Sequence, residues 1–196
     1  MNVIRVLLVV CIAYLIGSIP TALVYSRLRQ GADIRVLGDG NMGARNIKRQ
    51  FGMRAGVLVA LVDIVKGLLA VMLADLAGLA LGGQMLAGAA AILGHDFPIF
   101  AGFKGGQGFA ATTGVFLYLF PSPGLIGLVI YFGVYWLTRS SDLAAGLAMG
   151  QLFLHLALSG AAALTLAYVV AVLLFVPFKK WLDRPRRQLL EQAPGD

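Results

Sequence analysis

The chain has 196 residues, 59% of them hydrophobic and 13% charged, with a mean hydropathy of +0.85, where an ordinary soluble domain is about 25% charged. This excludes a disordered chain, a coiled coil and a simple soluble enzyme, and a lone cysteine excludes a disulfide scaffold. The net charge of +7 fits nucleic acid, acidic substrates or membrane orientation, and the positions of the charges decide among them.

The first apolar run, 3–26, is longer than the apolar centre of a cleaved signal. It continues through Gly17-Ser18-Ile19-Pro20, so it reads as a retained helix kinked near Pro20. Further spans are expected at 53–76, 84–97, 108–120, 125–138, 143–159 and 161–178. Pro121-Ser122-Pro123-Gly124 has the chemistry of a turn. The break at Ser159-Gly160 is weak enough that six spans remain an alternative to seven. The expected fold is all-α: a polytopic integral membrane protein with one transmembrane domain over 1–178, glycine-rich loops at 27–52 and 94–108, and a basic tail over 179–196.

Seven spans place fourteen of the sixteen lysines and arginines on one side, while the loops near 77–83, 121–124 and 159–160 carry none. The positive-inside rule makes the basic side cytoplasmic, with the N-terminus outside and the C-terminus inside. No soluble surface is left for a basic stripe, so nucleic acid is not the expected partner. Most of the 25 glycines read as close helix packing.

Two loops concentrate polar chemistry. In the first, Gly38, Gly40 and Gly43 spell a dinucleotide fingerprint without the strand and βαβ unit it requires, so that reading is discarded. What remains is a turn whose N–H groups can converge on an anion, followed by Arg45, Lys48 and Arg49 at helical spacing. The bland alternative is a loop that only sets topology. In the second loop, Lys104 precedes Gly105-Gly106, which suggests a phosphate site built from a point charge and exposed N–H groups. Its bland alternative is a turn with a snorkelling lysine. Two histidines without a cysteine partner do not suggest zinc, and no metal or cofactor is expected. Asp63 and Lys66, three residues apart inside a span, read as an ion pair or as site residues. Gln151 and His155 share a helical face and read as inter-helical hydrogen-bonding groups, and Cys11 as a small apolar filler.

These loops resemble the bacterial acyl-phosphate:glycerol-3-phosphate acyltransferases of the PlsY type. The pattern G-S-G-N-x-G-A-x-N-x-x-R is met from Gly38 to Arg49 with one change. G-H-x-F-P followed by F-K-G-G-K-G is met from Gly94 to Gly108 with one change, and Asp63-Ile64-Val65-Lys66-Gly67 matches D-x-x-K-G. The resemblance covers about residues 10 to 145. It implies a multi-pass protein of the bacterial inner membrane with a cytoplasmic site. It also implies acyl transfer from acyl phosphate to the 1-hydroxyl of glycerol 3-phosphate, beside membrane lipid, giving lysophosphatidic acid and phosphate. By motif match, Asn41, Asn46 and Arg49 would form the polar floor, Lys104, Gly105 and Gly106 would bind phosphate, and His95 would orient the second loop or act catalytically. Arg45 is a candidate from its spacing alone, and Arg139 is added from Thr138-Arg139-Ser140-Ser141-Asp142, which resembles a family Thr-Arg-x-x-Ser.

Three positions depart from the pattern. Asp39 and Asp142 stand where the family has serine, and Gln107 where it has lysine; a third, C-terminal motif is not recognisable in 178–191. Asp39 would either pair with Arg45 or Arg49, or act as a general base for the acceptor hydroxyl; Asp142 would pair with Arg139. The alternative function is a divergent member that binds lipid or phosphate without this chemistry, or that uses another acceptor. A small-anion transporter would carry polar residues inside several spans, whereas here polarity concentrates in the loops.

Overall fold

The computed structural model describes residues 3–184, and no strand occurs among them. The first apolar run forms α1 (Val3–Gly17) and α2 (Thr21–Gln30) with a break between them. Proline has no N–H to continue the ladder, and Pro20 stands immediately before α2. The loop predicted at 27–52 is more ordered than expected. A 3-10 turn at Ile34–Val36 is followed by α3 (Ala44–Phe51), which leads through Gly52 into α4 (Met53–Leu76).

α5 (Leu81–Asp96) and α6 (Phe109–Leu119) flank the second loop, which holds a 3-10 turn at Ile99–Ala101. α7 (Pro121–Thr138), α8 (Ser141–Leu158) and α9 (Ala163–Leu182) complete the chain. Two boundaries differ from the sequence reading. Pro121 to Gly124 form the first turn of α7 instead of a separate turn, because a proline at the first helical position gives up no hydrogen bond. The reversal falls at Phe120, whose carbonyl accepts from Gly124 N–H at 2.9 Å. The C-terminal boundary also moves, because α9 carries Lys179 and Lys180 inside the helix. The basic residues Arg186 and Arg187 lie outside the described residues.

Among the described residues, five segments are long and apolar enough to cross a membrane: 3–30, 53–76, 121–138, 141–158 and 163–182. α5 and α6, at 16 and 11 residues, reach only about 24 and 16 Å at 1.5 Å per residue, less than the hydrocarbon core. α4 lies against α1, α3, α5 and α6. Its contact with α6 is close because a Cβ on Gly67 would collide with the Ala111 carbonyl, and one on Gly114 with the Ile64 carbonyl. Small residues allow this approach where lipid supplies no hydrophobic drive between helices. Cys11 faces outward from α1 instead of filling an interior gap.

Candidate active site

The first loop is organised by Asn46, which is fully buried. Its Nδ2 donates to the carbonyls of Leu37 (2.9 Å), Asn41 (3.1 Å) and Ile34 (3.4 Å), folding the glycine turn back on α3. Asp39 accepts from Asn41 N–H at 3.1 Å and from Arg49 Nη1 at 3.2 Å. Of the two pairings considered for Asp39, the structure forms the one with Arg49. Asn41 Oδ1 is buried without a hydrogen-bond partner among the described residues.

Arg45 points elsewhere, with its Nη2 2.9 Å from Asp142 Oδ1. Asp142 also pairs with Lys180 of α9. The expected pairing of Asp142 with Arg139 is not formed. Arg139 is the left-handed residue closing α7 (φ 56°), and its side chain is exposed.

The second loop is built on glycines of a different use. Gly105 N–H donates to the Asp96 carbonyl at 3.2 Å and Gly106 N–H to the His95 carbonyl at 3.1 Å. A Cβ on Gly105 would strike the His95 carbonyl, and one on Gly106 would strike His95 Nε2. The expectation that these N–H groups stand exposed to an anion is therefore corrected. They are committed to the end of α5, and the glycines exist to let the loop lie against it. Lys104, beside them, is exposed and has no hydrogen-bond or ion-pair partner among the described residues.

Beneath both loops lies a buried polar group. Asp63 Oδ1 accepts from Thr21 Oγ1 at 2.9 Å, lies 2.9 Å from Lys66 Nζ, and is 3.6 Å from His95 Nδ1. Lys66 Nζ also donates to the Ile19 carbonyl at the α1–α2 break, at 3.0 Å. The pair reading of Asp63 and Lys66 thus holds, with His95 beside it but not hydrogen-bonded to it among the described residues. A buried charge is retained only when paired and hydrogen-bonded.

Arg35 joins the loops, since its Nη1 donates to the Ala101 carbonyl at 3.0 Å while the rest of its guanidinium holds Asp33. The hydrogen bonds from Arg35 draw the Asp33 carboxyl down to about 2, against the smaller opposing effect of burial. Gln151 and His155 form no inter-helical hydrogen bond among the described residues, and Gln151 Oε1 is buried unpaired. No three His, Cys, Asp or Glu side chains among the described residues are placed to hold a metal.

A further buried residue, Lys179, escaped sequence reasoning because it was counted with the basic tail. Its signal was periodicity: Thr165, Val169, Val172 and Lys179 are the buried residues of α9 and share one face.

The family model described as "Glycerol-3-phosphate acyltransferase" matches residues 7–188. The chain belongs to the glycerol-3-phosphate acyltransferase family. Among its relatives, the glycerol-3-phosphate acyltransferase of Pseudomonas putida (strain W619) is 44% identical over 138 residues, covering 70% of this chain and 73% of the relative. Glycerol-3-phosphate acyltransferase 2 of Bacillus anthracis is 41% identical over 149 residues, covering 76% and 78%. The crystal structure of PlsY (YgiH), an integral membrane glycerol 3-phosphate acyltransferase, in its glycerol 3-phosphate form is 32% identical with a TM-score of 0.82, covering 92% of this chain and 90% of that one. The lysophosphatidic acid form gives 30% and 0.78 over the same shares. This chain is a multi-pass membrane member of the glycerol-3-phosphate acyltransferase family, and its aspartates at 39 and 142 are held by arginines of its own first loop region.

Proposed function

We propose that the protein is a membrane acyltransferase of phospholipid biosynthesis that moves a fatty acyl group from acyl phosphate to glycerol 3-phosphate. The hydroxyl oxygen of the acceptor attacks the acyl carbonyl carbon, the bond to the phosphate oxygen breaks, and lysophosphatidic acid and phosphate are formed, the hydroxyl proton leaving with a base. The acyl donor is already activated, so positioning and charge stabilisation suffice without a covalent intermediate or cofactor.

The observation that carries this reading is the exposed Lys104 ammonium, unpartnered among the described residues, on a loop tied by Arg35 to the Asp39–Arg49 loop. A free cation beside a second cationic loop suits two phosphate-bearing substrates, and the apolar helices suit an acyl tail. The similar crystal structures in glycerol 3-phosphate and lysophosphatidic acid forms support the substrate and product classes. In this scheme Lys104 and Arg139 bind phosphate directly. Arg45 and Arg49 exchange their carboxylates for it. Gly105, Gly106 and His95 fix the turn that presents Lys104, and Asn41 and Asn46 shape the floor. Asp39 has both oxygens engaged, which favours a charge-holding role over that of the base. The charge asymmetry of the loops supports a cytoplasmic site in a bacterial inner membrane with seven spans, the N-terminus outside and the C-terminus inside.

The deciding experiment supplies palmitoyl phosphate and glycerol 3-phosphate to protein in lipid and follows phosphate and acylated product together. Lysophosphatidic acid formation that is lost in Lys104→Ala is expected. The ion pairs at Arg45 and Arg49 favour, as second reading, an acceptor without phosphate; phosphate release without acylated glycerol 3-phosphate would select it. No turnover by folded protein would leave a binding role.

A further inference from the structure

A lysine in the last turn of a membrane helix ordinarily extends its ammonium toward the headgroups. Lys180 follows this pattern, with a partly exposed side chain that reaches Asp142. Lys179 does the opposite. It is 2% exposed and turned into the protein, where its Nζ lies 2.6 Å from Asp183 Oδ2 and 5.0 Å from the centre of the Phe97 ring.

Phe97 is the residue that follows α5. Its carbonyl accepts from the Tyr14 hydroxyl at 2.7 Å, and its ring meets Phe175, one turn before Lys179, at 6.5 Å between centroids. The two residues before it, His95 and Asp96, supply the carbonyls that hold Gly106 and Gly105. Asp96 is fully buried, and neither of its carboxylate oxygens has a hydrogen-bond partner among the described residues.

An apolar residue at 179 would continue the buried stripe of Val169 and Val172 without the cost of a buried charge. A buried ammonium kept there at a cost reads as functional, and the ring it lies over belongs to Phe97, next in the chain to the two residues whose carbonyls hold Gly105 and Gly106. Resting on the functional reading above, we infer that Lys179 is a positioning residue for phosphate binding. From the end of α9 it holds Phe97 by cation–π contact with the ring, and through Phe97 it steadies the adjoining carbonyls of residues 95 and 96 that accept from Gly106 and Gly105 N–H, and so fixes the Lys104-Gly105-Gly106 turn. It does not itself touch substrate.

The test is steady-state acyl transfer in lipid by the full chain, with glycerol 3-phosphate varied. KM does not depend on how much of a sample is folded, so it separates mispositioning from simple loss of protein. Lys179→Met is expected to raise KM for glycerol 3-phosphate by about tenfold with a smaller change in kcat, and Lys179→Arg to return it to within about threefold of the unsubstituted protein. Asp183→Asn, which keeps the lysine and removes its anion, is expected to raise KM in the same direction by about threefold. An unchanged KM in Lys179→Met overturns the inference; if that variant is not recovered folded, an unchanged KM in Asp183→Asn overturns it. Absence of product from the unsubstituted protein would instead sink the functional reading, a failure seen in a different sample.

Discussion

Arg35 Nη1 donates to the carbonyl of Ala101 at 3.0 Å, joining two glycine-rich loops 66 residues apart in the chain. The same guanidinium caps the first loop by holding Asp33, whose Oδ1 also accepts from Arg35 N–H at 2.9 Å. One side chain therefore sets the internal shape of the first loop and its distance from the second.

This link has a pH signature. The Asp33 carboxyl is pulled from 3.8 down to about 2, chiefly by its hydrogen bond from Arg35. A depressed carboxylate stabilises the fold fully above its unfolded value and loses that contribution as pH falls toward the folded one. Stability in lipid is expected to decline between about pH 4 and pH 2, with a shallower decline in Asp33→Asn. Equal slopes in thermal unfolding across that range would remove the assignment.

Gly106→Ala should displace His95, because the new Cβ would strike Nε2. Activity is expected to fall by roughly 10- to 100-fold, the scale of a small misplacement near the chemistry. The double variant with His95→Ala should be more stable than Gly106→Ala alone, since the collision partner is gone. Thermal unfolding of the three variants measures this, and additive effects would argue against the collision.

Removing one member of the buried Asp63–Lys66 pair strands the other. Lys66→Met or Asp63→Asn is expected to cost about 3–5 kcal/mol each, with the double variant losing much less than the sum. Denaturant unfolding of the four proteins closes the cycle, and simple additivity would show that the two charges do not depend on each other.

Asp39→Ser releases Arg49 from its carboxylate. If the pair only competes with substrate phosphate, KM for glycerol 3-phosphate should fall several-fold, on the order of 1 kcal/mol for one exposed charge pair. Complete loss of turnover would make Asp39 the base instead.

Reporter fusions should place a C-terminal tag inside and an N-terminal tag outside, as charge asymmetry predicts. Both ends on one side would remove the seven-span arrangement.

Much of this was legible because membrane helices announce themselves by uninterrupted apolarity. The span expected at 53–76 coincides with α4 (Met53–Leu76), and the pause at Ser159-Gly160 is real, with Gly160 at φ +73°. The turn at Pro121 was misjudged because proline both breaks helices and starts them, and only the preceding Phe120 shows which applies. The site was harder to read. Spacing marked Lys104-Gly105-Gly106 as special but not that both glycine N–H groups face backward. Likewise Arg45, Arg49 and Asp142 were visible as charges, but which carboxylate takes which arginine depends on how α3, α8 and α9 meet. Lys179 was hidden by its neighbours, since a run of basic residues resembles a tail whichever way one of them turns.

The contact of Lys66 with the Ile19 carbonyl, and of Thr21 with Asp63, bears on how the chain enters the bilayer. The second long span, inserted by itself, would carry an aspartate and a lysine into hydrocarbon. The first would bring an interruption in its ladder at Pro20. The break in the first span offers the Ile19 carbonyl and the Thr21 hydroxyl to these two charges, so the first and second spans are expected to pair as a hairpin once both lie in the bilayer.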